Sequence, residues 1–308
     1  MRNDQLVSVI VTTKNEKNNI ENCLTSIKNQ TWEFIELIVI DNYSIDNTVE
    51  ISKNYTEKVY TLGPERSAQR NYGMIKKSTG NYLMYVDADM ILSPRLIEAC
   101  IFEIKKQNFD ALHIHEKILG LNIFSRARNF ERSFYSGTVI DGARFFTKDI
   151  FLKSNGFDEA IFKAGSGEDW DLDKSIRKIG GRIGLLPEVT KLSENIRLNL
   201  CLQKTIESLG GFYSSNLTII YHNESNIKFS DYLKKKMYYA KGFNGYVNKW
   251  GKGDLDIRRQ LGWKYRFFFV FYENGKWKKI LRHPVLFLAM YYLRVRLGIA
   301  FIYFNLKK

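Results

Sequence analysis

Cysteine is scarce in this 308-residue chain: Cys23, Cys100 and Cys201 lie far apart and no C-x-x-C pair occurs. That argues against a disulfide scaffold or a zinc knuckle and fits a reducing compartment. Disordered polar tracts and short tandem repeats are missing too. The opening residues, MRNDQLVSVIVTTKNE, hold an apolar run of strand length but neither a signal-peptide h-region nor a small-residue cleavage site. The chain is therefore expected to stay in the cytoplasm. No G-x-G-x-x-G follows that first run, and no G-x-x-x-x-G-K-[ST] occurs anywhere, which argues against dinucleotide enzymes and P-loop NTPases.

Most of the chain also lacks a charge excess. Residues 1–225 hold 28 Lys and Arg against 29 Asp and Glu, whereas residues 226–308 hold 19 against 4. The whole net charge of +14 thus sits in the last quarter, together with 21 of the 44 aromatic residues. A basic, aromatic-rich segment reads as a surface for anionic lipid or nucleic acid. The shift in composition divides the chain into segments 1–225 and 226–308.

What is present is an alternation. Residues 6–12 (LVSVIVT) and 34–40 (FIELIVI) are apolar and rich in β-branched side chains, as strands buried on both faces of a parallel sheet are. Residues 58–62 and 82–86 predict two more strands, with helical spacing over 18–29, 44–53 and 67–77 between them. This pattern predicts an α/β fold with a doubly wound, mostly parallel central sheet flanked by helices. Such sheets bind ligands at the carboxyl ends of their strands, where Asn15, Asp41, Asp87 and Asp89 fall. Helices over 94–106, 123–134 and 169–179, strands over 111–115 and 143–147, and a helix over 230–250 are expected to follow.

Five constellations can carry chemistry. Asp87-Ala88-Asp89 closes the fourth strand; two carboxylates one residue apart can face one hard cation and leave room for diphosphate oxygens. A D-x-D pair alone also reads as two solvated loop aspartates, and the strand context favours the metal. Glu168-Asp169 opens a helix in AGSGEDWDLDKSIRKIG. Capping explains Asp171 and Asp173, while Asp169 can act as the general base for an acceptor hydroxyl. Gly165-Ser166-Gly167 would let substrate approach closely. Thr12, Asn15 and Glu16 with Asp41-Asn42 can hydrogen-bond a base and ribose, or only form turns. Arg66 and Arg70, one turn apart, can meet phosphate oxygens or form an exposed basic face. His222 ends an apolar strand in IIYHNES, where structural and metal-ligating roles both stay open.

In order, the runs VSVIVTTKNE, IVIDNYSIDNT, RSAQRNYG, YLMYVDADM, GARFFTKDIFLKSNGFDE, GEDWDLDKSIRKIG and YHNES resemble family 2 glycosyltransferases with the GT-A fold, over residues 5–225. The resemblance implies a Rossmann-like catalytic domain and an inverting transferase that uses a UDP- or GDP-linked sugar with Mn²⁺ or Mg²⁺. It implies that Thr12, Asn15 and Glu16 line the nucleotide site, that Asp41 contacts the base, and that Arg70 lies near the donor. Asp87 would sit near ribose and metal, Asp89 would hold the metal, and Asp169 of the Glu168-Asp169 pair would be the base. His222 corresponds to a histidine that ligates the metal in some such enzymes. The stretch 184–218 is longer than usual for the family and suggests a helical insertion over 195–209 near the acceptor site.

Residues 226–308 resemble the basic C-terminal helices of membrane-associated members. Residues 285–304 are long enough to span a bilayer, but Arg294 and Arg296 near the middle would cost about 2.5–3.5 kcal/mol each. A peripheral or monotopic attachment at the cytoplasmic face of the cell membrane, through its anionic surface, is the expectation. A basic helical subdomain packed on the catalytic part is the plainer reading. The expected activity is sugar transfer to a hydroxyl of a lipid-linked or polymeric glycan, with polyprenyl phosphate as the alternative acceptor. A nucleic-acid-binding protein using the basic tail is the alternative of another class. The strand-end aspartates would repel phosphates, so no nucleic acid is expected as partner.

Overall fold

The computed structural model of the chain describes residues 5–162, 167–190, 198–225, 227–240 and 243–306. Strands β1 (Val7–Thr13), β2 (Ile35–Asp41), β3 (Val59–Thr61) and β4 (Tyr82–Asp87) alternate with helices α1 (Ile20–Lys28), α2 (Thr48–Lys53) and α3 (Arg66–Asn71). Helix α3 continues as a π-helical turn over Tyr72–Lys77. There follow β5 (Met90–Leu92), α4 (Leu96–Gln107), β6 (Ala111–His113), β7 (Glu116–Leu119), α5 (Ile123–Arg132), β8 (Ala143–Thr147), α6 (Lys148–Lys153), α7 (Glu168–Lys178), β9 (Ile183–Leu185), α8 (Leu200–Ser208) and β10 (Ile220–Asn223).

The large sheet has the order β3-β2-β1-β4-β8-β6-β9. Strands β3, β2, β1 and β4 are mutually parallel, and so are β6 and β9. Side chains alternate across a strand, and here both faces are covered. Val7, Val9 and Val11 of β1 pack with α1 and α4, while Ile10 packs with Met74, Phe151, Leu172 and Ile176 on the other face. That two-sided burial is why β1 and β2 read as unbroken apolar runs.

The mostly parallel sheet expected from the sequence is present, with one exception. Strand β8 runs antiparallel to both of its neighbours, β4 and β6. The expected strand over 111–115 divides: β6 ends in the large sheet, and β7 starts at Glu116 in a second sheet of order β5-β10-β7. Strand β10 therefore lies beside β5, and His222 sits opposite Met90, next to Asp89.

The insertion expected over 195–209 contains α8, capped by Asn199, whose Oδ1 accepts from the backbone N–H groups of Cys201 and Leu202. Residues 195–197 lie outside the described residues, as do Gly165, Ser166 and Lys241. The helix expected over 230–250 is described as two stretches, α9 (Phe229–Ala240) and α10 (Phe243–Trp250), with residues 241 and 242 between them outside the described residues.

The α-helices α11 (Leu255–Leu261), α12 (Trp263–Phe267), α13 (Lys278–Arg282) and α14 (Pro284–Leu306) follow. They share a core with the end of α5: Phe130, Phe134 and Tyr135 pack with Tyr265, Val270, Phe271 and Met290. Polar anchors lock the contact. Arg294 is buried and donates to Glu131 Oε1 at 3.0 Å and to the Tyr135 hydroxyl at 2.6 Å. Lys276 donates to the carbonyls of Phe134 and Ser136, and Lys279 to that of Ser133. These cations sit where the carbonyls past α5 need donors. Arg296, two residues on from Arg294, is exposed. Among the described residues no helix is long and apolar enough to cross a membrane.

Candidate functional site

Strand β1 has β2 on one side and β4 on the other, so the crevice at its carboxyl end is the switch point where open α/β sheets bind ligands. Register brings Thr12 beside Asp87 and Thr13 beside Asp41. A cavity of about 880 Å³ opens there, a size suited to a small-molecule ligand. Thr12, Glu16, Arg70, Asp87, Asp89, Glu168, Asp169 and His222 all line it.

Arg70 organises the inner wall. Its guanidinium is buried, lies 4.1 Å from the centre of the Tyr85 ring, and faces three carboxylates from two elements. Nη2 is 3.0 Å from Asp87 Oδ1, and Nη1 is 3.2 Å from Asp169 Oδ1 and 3.4 Å from Glu168 Oε1. Burial works against the charge on Asp87. The guanidiniums of Arg70, Arg144 and Arg66 outweigh it and hold the carboxyl well below the usual range. Glu168, buried at the start of α7, goes the other way: burial raises its pKa against the pull of Arg66 and Arg70.

Asp169 Oδ1 also accepts from the Tyr85 hydroxyl at 2.8 Å. Among the described residues its Oδ2 accepts no hydrogen bond, and the carboxylate is about one-third exposed to the cavity. Two glycines make room for it. Gly142 packs directly on it, where a Cβ would come within 2.5 Å of Asp169 Cβ. Gly167 turns the chain into α7 at a φ of +85°.

Asp89 faces the second sheet. Its Oδ2 lies 3.0 Å from His222 Nε2, across 133 residues of sequence. Burial disfavours the charged imidazole, but Asp89 outweighs it and pushes the His222 pKa up to about 9. Asp89 Oδ1 is buried and has no hydrogen-bond partner among the described residues. A buried carboxylate oxygen left unpaired is costly. A hard cation satisfies such an atom, and this donor set of one carboxylate and one imidazole suits a cation that completes its shell with phosphate oxygens and water. Among the described residues no cluster of three His, Cys, Asp or Glu side chains forms a complete metal site. Asp87, the third predicted ligand, has Oδ1 engaged by Arg70 and by the Thr12 hydroxyl.

Asn15 and Asp41 do not line the cavity. Asp41 accepts from the backbone and hydroxyl of Ser44, and Asn15, at a φ of +55°, braces the same turn through Ser44 and Ile45. Glu16 does line it, with a pKa raised by burial. Several wall residues carried no signal in the sequence. Arg144 bonds Glu116 at 2.7 Å and lies 3.8 Å from Asp87, and Tyr85 fixes Asp169. Arg144 belongs to the run GARFFTKD and Tyr85 to a buried strand, so only the fold reveals them.

The profile of Glycosyl transferase family 2 matches residues 8–155. The uncharacterized glycosyltransferase YibD of Escherichia coli is 35% identical over 104 residues, covering 32% of this chain. The matched stretch spans only 30% of that relative's length. Among solved structures, the mannosyltransferase PcManGT of Pyrobaculum calidifontis, in complex with GDP-Man and Mn²⁺, aligns with a TM-score of 0.56 at 16% identity. That alignment covers 96% of this chain and 74% of the neighbour. TarS of S. aureus in complex with UDP aligns with a TM-score of 0.50 at 19% identity, covering 85% and 72%. Residues 8–155, with their strand-end aspartates at the switch point, are thus a family 2 glycosyl transferase domain, and the chain carries them on a GT-A-type fold.

Proposed function

We propose that this chain is an inverting, metal-dependent glycosyltransferase that moves a sugar from a UDP- or GDP-sugar to a hydroxyl of a lipid-linked or polymeric glycan at a membrane surface. One observation carries the reading: a single cavity holds both the unpaired, buried Oδ1 of Asp89 and the cavity-facing carboxylate of Asp169. The structural neighbours bind UDP or GDP-Man with Mn²⁺, which supports a nucleotide-sugar donor.

Thr12 and Glu16 would bind the nucleoside part of the donor at the end of β1, with Asn15 and Asp41 shaping the adjoining turn. Asp89 and His222 would hold Mn²⁺ or Mg²⁺, with Asp87 near ribose and metal. When bound, the cation neutralises charge on the departing nucleoside diphosphate. Asp169 would take the proton from the acceptor hydroxyl through Oδ2. Arg70 and Tyr85 hold Oδ1, so the carboxylate cannot rotate away. Glu168 keeps Arg66 and Arg70 in place beside it.

The membrane reading rests on the outer face of α14. Val285, Leu288, Tyr292, Val295 and Ile299 recur every three or four residues and are all exposed, as are Trp263, Phe268 and Phe269 nearby. Exposed basic residues, among them Lys264, Lys278, Arg282 and Arg296, accompany them. An apolar stripe accompanied by cations suits an anionic lipid interface at its cytoplasmic side. It does not suit nucleic acid, which needs stacking platforms along a basic groove.

Three outcomes are expected. Purified protein offered a panel of UDP- and GDP-sugars will bind one donor with Mn²⁺, and chelator or Asp89→Ala will abolish that binding in a folded protein. No donor binding under any metal condition sinks the assignment. Asp169→Asn will lower kcat by about 100-fold or more while donor affinity holds; a wild-type rate in that variant removes Asp169 as the base. Finally, the protein will co-sediment with phosphatidylglycerol-containing vesicles, and Leu288→Glu with Val295→Glu will release it. Wild type that stays in the supernatant contradicts the membrane face.

A further inference from the structure

The cavity has a second arm that donor chemistry leaves unexplained. It runs from the Asp89–His222 pair toward the C-terminal helices, past Tyr232 and Lys236 of α9, Arg266 and Phe267 of α12, and Leu297 of α14. Most cations along this wall have a carboxylate. Arg128 is 2.7 Å from Glu131, Arg294 is 3.0 Å from the same Glu131, and Arg132 and Arg144 share Glu116. Two do not. Among the described residues, neither Lys236 nor Arg266 has a carboxylate oxygen within 4 Å.

Their surroundings make this costly. Lys236 is partly buried, and its ammonium lies 5.4 Å from the centre of the Tyr232 ring. Arg128, 4.6 Å from the same ring, presses a like charge on it. Burial, Arg128 and Arg266 together push the Lys236 pKa down to about 7, although Glu131 and Glu224 pull it up. Arg266 is held rather than mobile: its Nε donates to the Gln260 carbonyl at 2.6 Å, its guanidinium lies 5.4 Å from the centre of the Trp170 ring, and its own carbonyl accepts from Arg294. Like charges gathered in a partly desolvated arm, with no carboxylate in direct contact, are compensated when an anion enters.

The wall beside this pair is apolar. Phe267 and Leu297 line the arm together with Trp263, one of the exposed apolar side chains near the stripe described above. The arm therefore runs from the carboxylates of the site toward the apolar face of the molecule.

We propose that Lys236 and Arg266 form a phosphate-binding subsite for the acceptor, and that this acceptor is a phosphate or diphosphate ester of a long-chain lipid whose tail leaves along Phe267 and Leu297. This rests on the transferase reading of the cavity and names its acceptor class. The phosphate anchors beside α9 and α12, the tail lies toward α14, and the sugar hydroxyl linked to that phosphate reaches toward Asp169. The two cations neutralise a group that undergoes no bond change, so they position the acceptor and take no proton.

Calorimetry on the full chain tests it, with chelator present so that the metal site plays no part. Farnesyl diphosphate is expected to bind, farnesol not to bind, and inorganic pyrophosphate to bind more weakly. Lys236→Ala should weaken farnesyl diphosphate by about 10-fold or more, the loss expected for a hydrogen bond to a charged group, and Lys236→Arg should restore most of it. Thermal melting of each variant identifies any that is simply misfolded. Saturating UDP with Mn²⁺ should leave farnesyl diphosphate binding in place. Displacement by UDP, or unchanged binding in folded Lys236→Ala, overturns the subsite. Equal affinity for pyrophosphate and farnesyl diphosphate overturns its assignment to a lipid. Absence of Mn²⁺-dependent UDP binding, measured separately, would instead remove the transferase reading.

Discussion

The geometry of this site depends on one buried cation. Arg70 reaches from α3 to the end of β4 and to the start of α7, and its guanidinium joins Asp87 to the Glu168-Asp169 pair. Removing it would leave three carboxylates facing one another in a partly buried wall. Keeping it ties the end of β4, two residues before Asp89, to the start of α7, which carries Asp169. The Tyr85 ring beneath the guanidinium and the Tyr85 hydroxyl on Asp169 make the arrangement stiffer still.

A second consequence follows for charge. The inner wall balances cation against carboxylate closely: Arg66 with Glu168, Arg144 and Arg132 with Glu116, Arg128 and Arg294 with Glu131. Burial raises the energy of each charge, so such a wall is tolerated only where pairs are complete. Incomplete places then mark where a ligand belongs. Asp89 Oδ1 is one such place on the anionic side, and Lys236 with Arg266 is one on the cationic side.

Much of the fold was legible because apolar runs such as VSVIVTT and IELIVID are long and two-sidedly buried. Strand ends then forecast which polar residues would meet. Asp87, Asp89 and Asp169 could be placed from the motif order, and His222 from the strand it closes. The direction of β8 could not be read, since alternation along ARFFT is the same in either sense. Local sequence left open whether Asn15 and Asp41 brace a turn or bind a ligand, because turn-forming and ligand-binding polar side chains look alike locally. The basic tail left two readings open. Its charge count suggested solvated or lipid-facing cations, yet Lys276, Lys279 and Arg294 are spent on carbonyls and a carboxylate at the end of α5. Long-range pairing of that kind leaves no trace in local composition.

The most direct test of this account is Arg70→Ala, followed by urea unfolding and by UDP binding in Mn²⁺. The account predicts a loss of about 3–5 kcal/mol, the scale for breaking a buried ion pair, together with loss of nucleotide binding in the fraction that still folds. A variant within about 1 kcal/mol of wild type that binds UDP equally well would contradict it.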